Sequence, residues 1–277
     1  MDVMDAQSSG IGILRQAPGA KRFLLLACEV LYRELSHLCA RTPHRIDPVW
    51  LSQGLHDLGS ERMVAEIQKR IDEVQPEDYD AILLGFALCN NGTLGLRCEH
   101  TPLVMPKAHD CITLFLGSRA RYRELFDQNP GTYYLTTGWM ERDDSKAGAA
   151  GDSVQDQMGL GMSYAEMVEK YGEENAKFLA ETMGGMTVHY NRMLYIRQDY
   201  EEDLGFEEEA QAAAAERGWE FAQVDGDLRL LGNLVNGEWD EETAVAQPGE
   251  TFAATYDDAV LCARCRPGGG RNDGMGE

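Results

Sequence analysis

Apolar positions along the chain alternate between short continuous runs and helical spacings. "RFLLLA" (22–27) has the length of a strand, and in "CEVLYRELSHLC" directly after it Leu31, Leu35 and Leu38 recur at helical intervals. A strand feeding a helix is predicted there. After the short segment "IDPVWL" (46–51), "SERMVAEIQKRIDEV" repeats Met63, Ile67, Ile71 and Val74 on one helical face, with Ser60 as its cap. "YDAILLGFAL" (79–88) is apolar without interruption, the pattern of a strand covered on both faces. "PLVMP" (102–106) predicts a further strand, "HDC" follows it, and a helix runs on to about Phe126. "GTYYLTTGWME" (131–141) predicts a fourth main strand and its exit loop.

The second half repeats the alternation. Residues 163–183 have a helical pattern despite Gly172, "RMLYIRQ" is a strand, "EEEAQAAAAERG" a helix closed by Gly218, and "WEFAQVD" a strand. In "GDLRLLGNLVNG", Leu228, Leu231, Leu234 and Val235 share one face between a capping Asp227 and a terminating Gly237. Strands alternating with helices predict an α/β fold, with a mainly parallel, Rossmann-like sheet and helices on both faces. The Gly, Ala, Ser and Asp-rich stretch 143–162 is a linker, loop or lid. It divides a first unit (21–142) from a second α/β unit or a continuation of the same sheet (163–256), between a flexible leader (1–20) and a flexible tail (257–277).

Composition narrows the partners. The chain has 277 residues, 43% of them hydrophobic, enough for one large α/β domain or two modest ones. A formal net charge of −22 opposes binding to nucleic acid or an anionic membrane. The acidic runs "DYEED" (199–203) and "FEEEA" (206–210) predict solvated faces. The longest apolar candidate, "FLLLACEVL" (23–31), is far below the roughly 18 residues of a membrane span, and no secretory signal pattern opens the chain. A cytoplasmic location is expected. The seven cysteines, an odd set spread along the chain, then predict reduced thiols or metal ligands rather than disulfides.

Topology focuses the chemistry. Ligands of open parallel sheets gather beyond the carboxyl ends of the strands. Cys28 follows "RFLLLA", Cys89 follows "AILLGFAL", and His109, Asp110 and Cys111 follow "PLVMPKA". A helix N-terminus favours thiolate over thiol, and three thiolates can hold zinc or an iron-sulfur cluster. A single cysteine near a strand end is more often a small buried hydrophobe than a ligand, and it is the coincidence of three such placements that favours a site. His109 is a fourth ligand, a general acid or base, or merely a capping residue; Asp110 orients it or caps the following helix. Asn90, Asn91 and Gly92 suit a tight turn with positive φ and offer amides to an anion. Trp139 and Glu141, on the exit of the next strand, are expected to join the same edge, with Trp139, Asn90, Asn91 and Gly92 as candidates for binding the cofactor. Arg119, Arg121 and Arg123 are expected to pair with Glu124 or water. Cys262 and Cys265 form an isolated CxxC, a weak metal or redox signal, and no dinucleotide, Walker or nucleophile-elbow motif occurs.

"LLACEVLYREL", "LLGFALCNNGTLGL", "LVMPKAHDCITLFLGSRARY" and "GTYYLTTGW" together resemble the bacterial and archaeal family named domain of unknown function 1638, over most of residues 22–255. The resemblance includes Cys28, Cys89, His109, Asp110 and Cys111, whereas Cys262, Cys265 and the Gly-rich tail fall outside it. It implies a setting in corrinoid-dependent one-carbon metabolism, with a corrinoid protein or methyltransferase as partner.

The expected function is that of a metalloprotein in which Cys28, Cys89 and Cys111, assisted by His109, hold zinc or an iron-sulfur cluster that acts on a small-molecule substrate, with methyl transfer as the process the resemblance suggests. Two rivals stand beside it: a non-catalytic cofactor-binding or delivery protein, and a metal-free hydrolase or lyase using Cys111 as nucleophile with His109 nearby.

Overall fold

The structure, a computed structural model, describes residues 17–89, 91–141, 190–200, 204–255 and 260–265, together with Glu173. The leader to residue 16, Asn90, the stretch 143–162, the helix expected over 163–183 and the tail beyond 265 lie outside the described residues.

The apolar runs form a five-stranded sheet in the order β2-β1-β3-β4-β8, where β1 is Arg22–Cys28, β2 Arg45–Leu51, β3 Ala81–Gly85, β4 Leu103–Pro106 and β8 Thr243–Ala246. Its first four strands are parallel, and β8 joins β4 antiparallel. Every residue of β3 is buried, as is every residue of β1 after Arg22, so helices and loops cover both faces of the sheet centre. Edge strand β2 is only partly covered and tolerates Pro48, which cannot donate a ladder hydrogen bond.

The helices around this sheet include α1 (Tyr32–Cys39), α2 (Ser60–Asp72), α3 (Cys111–Leu116) and α4 (Arg119–Gln128). Met63, Ile67 and Ile71 are the buried stripe of α2, as their spacing predicts. Ser60 is its first helical residue rather than its cap; Gly59 occupies the cap position and supplies no side chain. Asp110 caps α3 and Ser118 caps α4, each through its side-chain oxygen.

"TYYLT" departs from the expected single frame. It forms β5 (Thr132–Thr136), which pairs with β6 (Arg192–Arg197) and through it with β7 (Glu220–Asp225) in a separate parallel sheet. The strand therefore belongs with the second unit, although in sequence it lies inside the first. Beyond it come α5 (Thr137–Glu141), α6 (Phe206–Arg217) and α7 (Arg229–Asn236). The apolar face of α7 returns to the main sheet and packs on β3, β4 and α1. The two sheets share a core, since Ile196 of β6 is buried in the main cluster and Tyr134 and Val224 pack against it. Backbone contacts reinforce the join: Asp227 N–H and Gln198 Nε2 both donate to the Phe115 carbonyl, at 2.9 and 3.1 Å.

The segment expected to be a flexible tail contains a strand. β10 (Leu261–Cys265) pairs antiparallel with β9 (Glu250–Ala254). Among the described residues, no helix is long and apolar enough to cross a membrane.

Candidate functional site

Chain order in the main sheet reverses between β1 and β3: β2 lies on one side of β1, while β3 and β4 lie on the other. Such a reversal opens a crevice beyond the carboxyl ends of the two strands, because their exit loops diverge to opposite sides. Cys28 is the last residue of β1. β3 ends at Gly85, and its exit stays alongside that of β4 through two hydrogen bonds, Leu88 N–H to the Ala108 carbonyl at 2.9 Å and Cys89 N–H to the His109 carbonyl at 3.1 Å. This pairing carries Cys89 to the start of α3, whose first residue is Cys111. Three thiols remote in sequence thus arrive at one crevice.

Cys89 has φ +47°, a left-handed conformation uncommon in a residue with a side chain, and Asn91 has φ +68°. A hydrogen bond from Gly92 N–H to the Cys89 carbonyl at 3.0 Å closes the turn. Gly92 itself is needed for close approach, because a Cβ there would lie 2.4 Å from Met63 Sδ on α2. The positive φ expected in "NNG" falls at Asn91, and Cys89 shares it. Backbone strain of this kind, held by surrounding hydrogen bonds, is concentrated at functional sites.

Electrostatics confirm the proximity. Burial pushes the Cys89 thiol up to about 12, helped by Cys28 and Asp110, while the Ala87 backbone opposes it. Cys111 is pushed well above its ordinary value, first by burial and then by Cys89, Asp110 and Cys28. The three sulfurs therefore lie within range of one another's charge. Their state differs from the sequence expectation: desolvation outweighs the dipole of the six-residue helix α3, so Cys89 and Cys111 are thiols, not thiolates, at neutral pH. Among the described residues, no group of three or more His, Cys, Asp or Glu side chains is arranged to hold a metal ion.

Asp110 is engaged in the local structure. Its Oδ1 accepts from Thr113 N–H at 3.1 Å and from the Thr113 hydroxyl at 3.3 Å, and it also bonds the Tyr122 phenol. Burial and this carboxylate push the phenol pKa up, so Tyr122 stays protonated. Of the two roles expected for Asp110, the cap is the one observed. His109 is exposed, makes no hydrogen bond to Cys111, and faces a different space.

Trp139 comes from the other sheet. It lies in α5, and the close contact of Gly138 with the β1 exit holds it there: a Cβ on Gly138 would lie 1.8 Å from the Val30 carbonyl oxygen. Its indole Nε1–H is buried without an acceptor in full hydrogen-bond geometry, and it acts on the Cys111 sulfur in the sense that favours thiolate. Glu141 secures the same helix by pairing with Arg33 of α1, Nε to Oε2 at 2.8 Å.

Beside the thiols lies a cavity of about 680 Å³, lined among others by His109, Thr113, Arg119, Tyr122, Arg123 and Phe126. His109, just before the Asp110 cap, and Thr113, in the first turn of α3, both line the cavity and flank Cys111 in sequence. The sequence reading missed the arginines of this wall. Arg119 and Arg123 stand four residues apart on one face of α4, whereas Arg121 turns away and donates to the Asp225 carbonyl at 2.6 Å. Their i, i+4 spacing carried that signal.

Of the CxxC, Cys262 lies in β10. The Cys262 sulfur accepts a hydrogen bond from the neighbouring Arg264 at 3.3 Å.

A family model described as "Protein of unknown function (DUF1638)" matches residues 50–235, two thirds of the chain. The chain belongs to this family. The DUF1638 match includes Cys89, His109, Asp110, Cys111, Arg119, Arg123 and Trp139; it begins after Cys28 and ends before Cys262. No curated protein and no solved structure matches the chain.

Proposed function

We propose that this DUF1638 protein is a thiolate-dependent metal protein in which Cys28, Cys89 and Cys111 bind zinc or an iron-sulfur cluster at the carboxyl edge of the main sheet. The observation that carries the proposal is the arrival of three thiols, from three separate strand exits, within one another's electrostatic range at the topological switch. The donor set fits a soft ion, since sulfur ligands suit both zinc and iron-sulfur clusters. The buried indole N–H of Trp139 suits the same occupant, because it stabilises negative charge on the Cys111 sulfur. When bound, the metal supplies a Lewis acid.

The chain's own residues define what binding requires. Cys89 and Cys111 must each lose a proton, and the three sulfurs must draw together from their metal-free arrangement. Asp110 anchors the first turn of α3 through Thr113 and Tyr122 while Cys111 moves. Methyl transfer with a corrinoid partner is the process we propose for the centre, and it rests on the family resemblance alone. The rival reading of Cys111 as a metal-free nucleophile lacks support from its surroundings: the thiol is held protonated, and no hydrogen bond joins it to His109.

Anaerobic purification and reconstitution, followed by elemental analysis and visible spectroscopy, tests the proposal. About one zinc or one cluster per chain is expected, with Cys28→Ser, Cys89→Ser and Cys111→Ser each depleting it and Cys262→Ser leaving it intact. Wild-type protein free of stoichiometric zinc and iron after reconstitution would overturn the reading. If metal is present, assay of methyl transfer to a corrinoid protein separates an enzyme from a delivery protein.

A further inference from the structure

We propose that the cavity beside the thiols binds a small organic carboxylate with an apolar, ring-sized body. Its volume, about 680 Å³, falls in the range of small-molecule sites, roughly 300–1,000 Å³. The walls divide the chemistry between two ends. One end carries the cationic donors: Ser118, Arg119 and Ala120 place the N-terminal turn of the ten-residue helix α4 on the cavity, and the Arg119 and Arg123 side chains line the same wall. Glu242, which pairs with Arg229 at 2.5 Å and with Arg119 at 4.0 Å, and Asp127 balance the formal charge of the two arginines, so the guanidiniums offer directed donors rather than a net positive field.

The remaining wall is apolar and aromatic. Tyr122 packs edge-on against Tyr134 with ring centroids 5.4 Å apart, Val260 is buried, and Phe126 is 49% exposed at the cavity. An exposed phenylalanine beside guanidiniums fits a ligand that joins a ring or short hydrocarbon to an anion, the composition common to small-molecule pockets. A singly charged carboxylate is favoured over a phosphate dianion because Asp127 and Glu242 also line the space and repel the second negative charge. His109 and Thr113 form the end nearest Cys111, so a ligand filling the cavity extends from the arginines to the turn that carries the thiol. The inference concerns the cavity and does not require the metal.

Isothermal titration calorimetry on the full chain, as purified and after chelator treatment, decides it with benzoate, phenylacetate, benzyl alcohol and inorganic phosphate as probes. Benzoate or phenylacetate is expected to bind one per chain, with benzyl alcohol at least about tenfold weaker and phosphate weaker still. Arg123→Gln, an exposed position, is expected to weaken carboxylate binding about tenfold, while Glu242→Gln strengthens it by removing a repelling charge. Three results would overturn the proposal: neither carboxylate binds, the neutral alcohol or phosphate binds as well as they do, or Arg123→Gln changes nothing in a protein whose circular dichroism matches wild type. Protein that takes up no metal on anaerobic reconstitution yet binds carboxylate removes only the metal reading. Metal-loaded protein that binds no carboxylate removes only this one.

Discussion

The two groups of cysteines in this protein contrast in sequence and in space. Cys262 and Cys265 are three residues apart along β10, and the sulfur of Cys262 accepts from Arg264. Cys28, Cys89 and Cys111 span more than eighty positions, yet they interact at one crevice. Spacing within a motif is informative only when the backbone conformation is known. Convergence at a sheet edge depends instead on strand order and on the pairing of exits, which here is made by the two backbone hydrogen bonds from Leu88 and Cys89 to Ala108 and His109.

The sharpest way to break this contrast is through protons. Because Cys89 and Cys111 are protonated in the metal-free protein, zinc binding releases at least two protons, and the apparent dissociation constant should rise at least about a hundredfold for each pH unit the solution is lowered below neutrality. Competition titrations at pH 6, 7 and 8 measure the slope. The same slope in Cys89→Ser would show that the buried thiols are not the ligands, and Cys262→Ser is expected to leave it unchanged.

Next in size is a change that touches no cysteine. Gly138→Ala places a methyl group against the Val30 carbonyl oxygen, and the forced separation of α5 from the β1 exit should cost about 3 kcal/mol by denaturant titration. Trp139 moves away from Cys111 with it, so metal affinity should fall as well. Unaltered stability would mean that α5 is not held against Val30 as described.

The smallest effect is on the metal-free protein. The Cys89 thiol titrates at about 12 when folded, above its ordinary value of 9.0, so its contribution to stability is complete below about pH 9 and is lost as pH rises toward 12. Urea midpoints between pH 8 and 10.5 should therefore decline, and Cys89→Ala should make the decline shallower. A decline as steep in the variant would place the alkaline sensitivity elsewhere.

Much of the frame was legible in the sequence because burial on both faces leaves an uninterrupted apolar run. "RFLLLA" and "AILLG" could be little other than central strands, and the Met63, Ile67, Ile71 stripe marked α2 as plainly. Strand partnership was not legible. "TYYLT" follows "PLVMP" by one helical hairpin, and nothing local tells it to leave the first sheet for β6, because pairing is a contact between distant segments. The weakly patterned strands β8, β9 and β10 were missed for a related reason: short strands with alternating partial exposure carry little signal.

The site shows the same division. Asp110 as a helix cap followed from its position before Cys111 and its three-residue offset from Thr113, a relation contained within one turn. The Arg119 and Arg123 face was equally local and could have been read from their spacing. The protonation of the thiols could not, because a helix start predicts thiolate while only the surrounding packing reveals how completely water is excluded.

By itself the sequence determined the α/β class, the central strands, the amphipathic faces and the set of thiols that end on strand exits, since each depends on periodicity or on neighbours along the chain. The tertiary structure decided that β5 joins a second sheet, that Trp139, beyond that strand, meets Cys111, and that the arginines line a cavity beside His109. Those outcomes depend on strand order, desolvation and contacts between distant segments, which arise only when the whole chain packs.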